Sequence, residues 1–360
     1  MTRGRISQVL AVLRLEIRKT FFARRGLWIY LLALAPLVVI GGHSFEVKRR
    51  EVRRRELAAE YPGITLQRMR AVREGMSREE VVKLLAEPNR PVKFTRRGRG
   101  GVRHDRELMR FSDGGSEIFV DFEDGRVRSR SIRAQCDFTQ ESKVFAGIFQ
   151  FFFVRLCIFF GCVFVFINSF RGEMLDKSLH YYFLAPVRRE VVVIGKYLAG
   201  LIATAVIFGA SVCAQMYFWF RHFPAGSLDE YLAGGGWNHV WSYLGVTVLA
   251  CVGYGAVFLA AGVLVRNPLV PAVSMLLWES INPILPAALA QISVIHYLKS
   301  LCPVEVPVDP GMPAALAILV VNGNPASAWA SIGGLLLLSA LVLFAASWRS
   351  RRLEIAYGAE

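Results

Sequence analysis

Six stretches of this chain are long and apolar enough to cross a hydrocarbon core, which takes about 20 mainly apolar residues as a helix. They are 27–43, 144–170, 191–219, 238–265, 269–291 and 326–348. A backbone in lipid must satisfy its own hydrogen bonds, so such segments fold as helices. The expected fold is an α-helical polytopic membrane protein with six transmembrane helices and a small α+β extracytoplasmic domain inserted after the first helix. Composition agrees: 54% hydrophobic and 20% charged residues are too apolar for a soluble domain of 360 residues. Collagen-like, disulfide-scaffold and disordered classes are excluded by 31 Gly without a period, 6 Cys and abundant Phe. The first stretch follows a long basic segment and lacks a small-x-small site after it, so it reads as a retained anchor rather than a cleaved signal.

Net charge is +15, and 24 Lys/Arg against 17 Asp/Glu between residues 44 and 143 account for part of it. The rest follows topology, and nucleic acid is not an expected partner. With the N-terminus inside, 16 Lys/Arg fall in short inner segments and only Arg221 and Lys299 in short outer loops. That asymmetry predicts cytoplasmic N- and C-termini. The run Lys48, Arg49, Arg50, Arg53, Arg54 and Arg55 would lie just outside the first span, but long loops translocate largely regardless of charge.

The expected domains are 1–43 (N-terminal amphipathic interface helix and first span), 44–143 (extracytoplasmic insert) and 144–355 (spans two to six). Within the insert, residues 46–60 alternate Glu with Arg/Lys and read as a charged helix. That helix suits plain solvent exposure or contact with anionic membrane lipid. A compact α+β module is expected over about 61–135. Ser77-x-x-Glu80 is a capping box opening a helix with Val81, Val82, Leu84 and Leu85 on its apolar face, and Pro88 ends it. Glu117–Phe122 alternates with Ile118, Val120 and Phe122 on one face. Asp124-Gly125 supplies a hairpin turn, and Arg126, Arg128 and Arg130 line a solvated face of the return strand. Over residues 64–133 this order resembles the small α+β modules of outer-membrane lipoproteins and β-lactamase-inhibitor-like proteins, with Glu87 where those carry Gly. The resemblance implies a non-catalytic binding or assembly module, usually on the outer side of the inner membrane, which could take an extracytoplasmic protein partner.

After the second span comes Arg171-Gly-Glu173-Met-Leu175-Asp176-Lys177-Ser178, then Leu184-Ala-Pro186-Val187-Arg188-Arg189, and Gly195-Lys196 opens the third. Glu173 would sit at the dipole-positive start of a short helix with an apolar stripe of Leu175, Leu179, Tyr182 and Phe183, stopped by Pro186. Physically this is an interfacial amphipathic loop or a docking element. It resembles the type-2 ABC exporter (ABC-2) permease family: a Glu closing the second span, a short helix, Leu-x-x-Pro-Val-x-Arg, then Gly-Lys. An amphipathic basic helix before the first span (Val9, Leu10, Val12, Leu13, Leu15 and Ile17 with Arg14, Arg18 and Lys19) and a Pro-rich re-entrant region at 283–325 agree with it. The folded insert and Lys177-Ser178 in place of the family's Thr depart from it.

The resemblance implies a permease subunit in a bacterial inner membrane, working as a dimer with a second permease copy and a separate ATPase subunit. Coupling to that ATPase would run through residues 171–190: Glu173, Leu175, Asp176, Lys177, Leu184, Pro186, Arg188 and Arg189. ATP and Mg would sit on the partner, with no cofactor in this chain. Gly195-Lys196 is followed by Tyr197 and lacks the upstream Gly of a phosphate-cradling loop. H-E-x-x-H and G-x-S-x-G are absent from the sequence, which disfavours a membrane-embedded enzyme. An anchored assembly scaffold is the other alternative.

Glu279 falls mid-membrane in Trp278-Glu279-Ser-Ile-Asn282-Pro283. A carboxylate there faces a cavity or a partner. Either it is structural, bonded to Asn282 or to a carbonyl freed by Pro283 and Pro286, or Glu279 and Asn282 line or gate a path. Arg155 is expected to snorkel towards the outer end of its span. His43, His104, His222, His239 and His296 map to the outer side without metal-ligand spacing, so no metal is expected. Cys136 and Cys302, also outer, could form a disulfide.

Overall fold

The computed structural model describes residues 2–22, 27–60, 64–85, 90–97, 103–113, 116–134, 138–175, 188–221, 223, 225–265, 267, 269–306 and 327–351. Five helices among them are long and apolar enough to cross a membrane. These are Leu27–Arg49, Glu141–Phe170, Arg189–Phe220, Gly226–Leu264 and Ala328–Ser350, called here the first, second, third, fourth and last spans. The stretch 269–291, expected as one more span, is broken. Leu269–Ile281 is helical, Asn282–Ile284 makes a 3-10 turn, Ala287–Ala290 adds one helical turn, and Val294–Leu301 is a separate helix. Pro283 and Pro286 explain the break, since neither has an N–H to donate and each disfavours helical backbone in the residue before it.

The chain divides into two compact units, one of residues 1–41 with 143–360 and one of Gly42–Ser142. In the first unit the third and fourth spans are the most buried, while the first and last keep exposed apolar faces such as Leu31, Leu34 and Val38, and Leu337, Leu341 and Phe344. Exposed apolar stripes of this kind are what lipid covers. Several buried hydroxyls donate to carbonyls of their own or neighbouring helices. Thr204 donates to Gly200 O (2.9 Å), Thr247 to Tyr243 O (2.8 Å), and Ser211 to Ala33 O of the first span (2.6 Å). The second span is wound in wide π turns over Ile148–Ile158 and Val163–Ile167, a rare geometry that concentrates at functional positions. Its aromatic rings pack edge-on into the fourth span, Phe149 against Tyr243 at 4.7 Å and Phe159 against Tyr254 at 5.4 Å.

The second unit includes the charged stretch 46–60, which lies in one continuous helix, Leu27–Glu60. Its module has helices Leu66–Ala71 and Arg78–Leu85 and a four-stranded antiparallel meander: β1 (Arg90–Arg97), β2 (Arg103–Ser112), β3 (Ser116–Glu123) and β4 (Arg126–Ala134). The capping box closes reciprocally, Ser77 N donating to Glu80 Oε2 (2.8 Å) and Glu80 N to Ser77 Oγ (3.3 Å). Asp124 and Gly125 take φ of 52° and 77° in the β3–β4 turn, the left-handed pair that a two-residue hairpin requires. Val81 and Leu85 pack with Met109, Phe111, Ile118, Val120 and Phe122 in a core of its own. Arg126, Arg128 and Arg130 are exposed.

Candidate functional site

The third span begins at Arg189 and brings Lys196 two turns in, where its side chain has no solvent exposure. An ammonium group has three protons to place. Lys196 Nζ donates to Glu16 Oε1 (2.9 Å), Glu173 Oε2 (2.8 Å) and the Ser169 carbonyl (3.0 Å), which satisfies all three. Lys19 Nζ donates to the other Glu173 oxygen at 2.9 Å and stands 3.8 Å from Glu16. Two cations and two carboxylates of the described residues therefore meet in one cluster, and the Phe170 ring covers the ammonium at 5.5 Å.

Three elements meet at this cluster: the N-terminal helix Thr2–Phe22, the helical turns Asn168–Leu175 that end the second span, and the start of the third span. Gly195 explains how they come so close. A Cβ on it would stand 2.7 Å from Val12 Cγ1 and 2.9 Å from Val12 Cβ, so only glycine lets the N-terminal helix lie against the third span here. The Gly195-Lys196 pair thus has a physical role: the glycine permits the approach and the lysine ties it.

Of the residues expected to couple to an ATPase, Glu173 is 9% exposed and both its oxygens are bonded within the chain. Arg188 is exposed and caps the third span with extended backbone. Arg189 Nη1 donates to the Arg351 carbonyl (3.2 Å), and Arg351 pairs with Glu190 at 2.6 Å, which fastens the start of the third span to the end of the last. Leu175 is the last residue of its helix, while Asp176, Lys177, Leu184 and Pro186 lie outside the described residues. Sequence reasoning missed Glu16 as a partner, although it is the only acidic residue among the first 45.

Glu279 is buried at 1% exposure and acts purely as an acceptor. It takes Ser293 Oγ at 2.8 Å and the backbone N–H groups of Val294 and Ile295 at 3.0 and 2.9 Å. It therefore caps the helix Val294–Leu301 across the Pro283–Pro286 break, rather than donating to a freed carbonyl. Asn282 donates from Nδ2 to Ala290 O at 3.0 Å, at the end of the turn Ala287–Ala290. Arg155, expected to snorkel, is buried at 5% exposure beside this segment. Cys302 carries a free thiol, and Cys136 lies outside the described residues.

The fold and the cluster define a polytopic helical membrane protein with an ion-paired junction between its N-terminal helix and its second and third spans. No family model, curated protein or solved structure matches the chain.

Proposed function

We propose that the chain is the permease subunit of a type-2 ABC exporter, working with a second permease copy and a separate ATPase subunit that holds ATP and Mg. The Lys196 cluster carries this reading. It ties the helix before the 176–187 connection, the helix after it and the N-terminal helix into one junction. A push on that connection would reach the second and third spans together. Glu173 and Lys196 are then positioning residues. Contact with the ATPase falls to exposed Arg188 and to Leu175, Asp176, Lys177, Leu184, Pro186 and Arg189. In this reading the membrane is a bacterial inner membrane, both termini and the 171–190 connection are cytoplasmic, and the module at 61–135 lies outside.

The test places a photocrosslinker at position 188 in native membranes and assays ATP hydrolysis of the purified assembly. A crosslinked ATP-binding subunit is expected, with loss of its stimulated hydrolysis in Arg188→Glu at an unchanged melting temperature. Purification without any ATP-binding subunit would refute the reading. The separate core of the Gly42–Ser142 unit favours a second reading, an anchored scaffold whose module binds a partner, and that outcome would then stand.

A further inference from the structure

Arg155 lies near the middle of the second span, inside the π-wound stretch Ile148–Ile158, and is 5% exposed. Its Nη1 and Nη2 have no hydrogen-bond partner among the described residues, and neither does the equally buried hydroxyl of Tyr254 on the fourth span. A guanidinium cannot shed its proton, so burying it without an acceptor is among the costliest states a side chain can adopt.

Packing sets these donors at a similar level of the bundle. Phe159, one turn beyond Arg155, lies edge-on to Tyr254. Gly253 packs against Val294, the residue whose N–H reaches Glu279, and Gln150 Nε2 donates to Val304 O at 3.0 Å. The segment after the proline break is therefore folded against the same stretch of the second and fourth spans. Arg155 lies within electrostatic range of Tyr254 and Glu279, and Lys299 adds a second positive charge in that range. The local carboxylate does not fill the gap: Glu279 is turned to the helix that it caps, where it accepts three hydrogen bonds, and neither Nη of Arg155 bonds to it. What remains is a planar two-nitrogen fork and a hydroxyl, all donors. Such a fork matches the paired oxygens of a phosphate or carboxylate.

We propose that Arg155 and Tyr254 bind a single oxyanion, a phosphate or carboxylate group, inside the helical bundle. The site is independent of whether the chain exports anything. Its ligand is either the phosphate of an anionic lipid or a free anion, and the two sources can be told apart.

The full chain is placed in phosphatidylcholine nanodiscs, and its melting temperature is followed in two arms. One adds phosphatidylglycerol to the disc. The other adds sodium phosphate or sodium acetate against sodium chloride of equal ionic strength. At ten times its dissociation constant the anion should raise the melting temperature of the wild type by about 2 °C. That rise should vanish in Arg155→Met and shrink in Tyr254→Phe. A response in the lipid arm alone assigns a lipid phosphate, and a response in the salt arm a free anion. If Arg155→Met does not purify, Tyr254→Phe, which removes one oxygen and keeps the ring, decides. No response in either arm overturns the site, as does an equal response in the variants. So does a double-mutant cycle in which Arg155→Met and Glu279→Gln are fully non-additive, since Glu279 would then be the partner of Arg155.

Discussion

Replacing Lys196 with Met tests whether a buried ion cluster holds the N-terminal helix to the bundle. Met keeps most of the aliphatic volume and removes the ammonium. The change strips three acceptors of their donor and leaves Glu16 and Glu173 with 6% and 12% side-chain exposure. Removing one partner from a buried pair costs about 3–5 kcal/mol, chiefly because the remaining charge stays buried. The lower end applies, about 3 kcal/mol, because Lys19 still reaches Glu173 at 2.9 Å. For 360 residues the entropy of unfolding gives roughly 1.3 °C per kcal/mol, which predicts a fall in melting temperature of about 4 °C. Lys19 is the control. Its side chain is 50% exposed, so Lys19→Met should cost no more than about 1 kcal/mol and should matter less as salt is raised. The Lys196 effect should be insensitive to salt. Adding Glu16→Gln and Glu173→Gln to Lys196→Met should restore most of the loss, because the unpaired charges go. The assay is thermal unfolding of the purified chain in neutral detergent at a fixed scan rate, with trypsin cleavage at Arg14 and Arg18 reporting release of the N-terminal helix. A Lys196→Met protein that melts within about 1 °C of wild type and stays protected at both sites would refute the reasoning.

Gly195→Ala should cost about 1–3 kcal/mol by forcing the new methyl into Val12. Adding Val12→Ala should recover part of that loss in the same melting assay, and a silent Gly195→Ala would remove the close-approach argument. Glu279→Gln keeps one acceptor oxygen and turns the other towards a donor, so it should destabilise by about 1–2 kcal/mol, with Glu279→Ala worse. Melting temperature distinguishes this from a charge needed only in a path, where Gln would leave stability intact. Ser77→Ala should cost about 1 kcal/mol within the module, seen as faster amide exchange over Arg78–Leu85 with the spans unaffected.

Local chemistry was legible in the sequence wherever the interacting residues are neighbours. Ser77 and Glu80 are three apart, Asp124 and Gly125 adjacent, and Ile118, Val120 and Phe122 alternate, so spacing alone placed them. The long apolar stretches were legible because a helix in lipid must close its own hydrogen bonds. What spacing cannot carry is pairing across the chain: Glu16 meets Lys196 from 180 residues away. Hydropathy likewise says that a segment enters the membrane but not which of its faces meets protein. That is why Arg155 reads as a residue reaching for the surface and is found inside. The break at Asn282 was marked by two prolines, yet apolarity across 269–291 outweighed them. Glu279 was singled out as a mid-membrane carboxylate facing a cavity or a partner, but its partners are Ser293 and amides 15 and 16 residues on, created by the break itself.

The two buried charge sites solve one problem in opposite ways, and the difference separates a joint from a binding position. At Lys196 every proton of the ammonium has an acceptor, two of them carboxylates, and a ring closes the side. The cost of burying that ammonium is met by acceptors inside the chain. At Arg155 the carboxylate within electrostatic range is turned to a helix end and the fork stays open. Filling that gap with protein groups would have taken one more Asp or Glu within reach. The π turns that present Arg155 weaken the helix around it, a cost with no return if the side chain were only packing. An open donor set on a π-wound stretch, within electrostatic range of a carboxylate turned to a helix end, is the arrangement expected where the missing acceptor arrives from outside the chain.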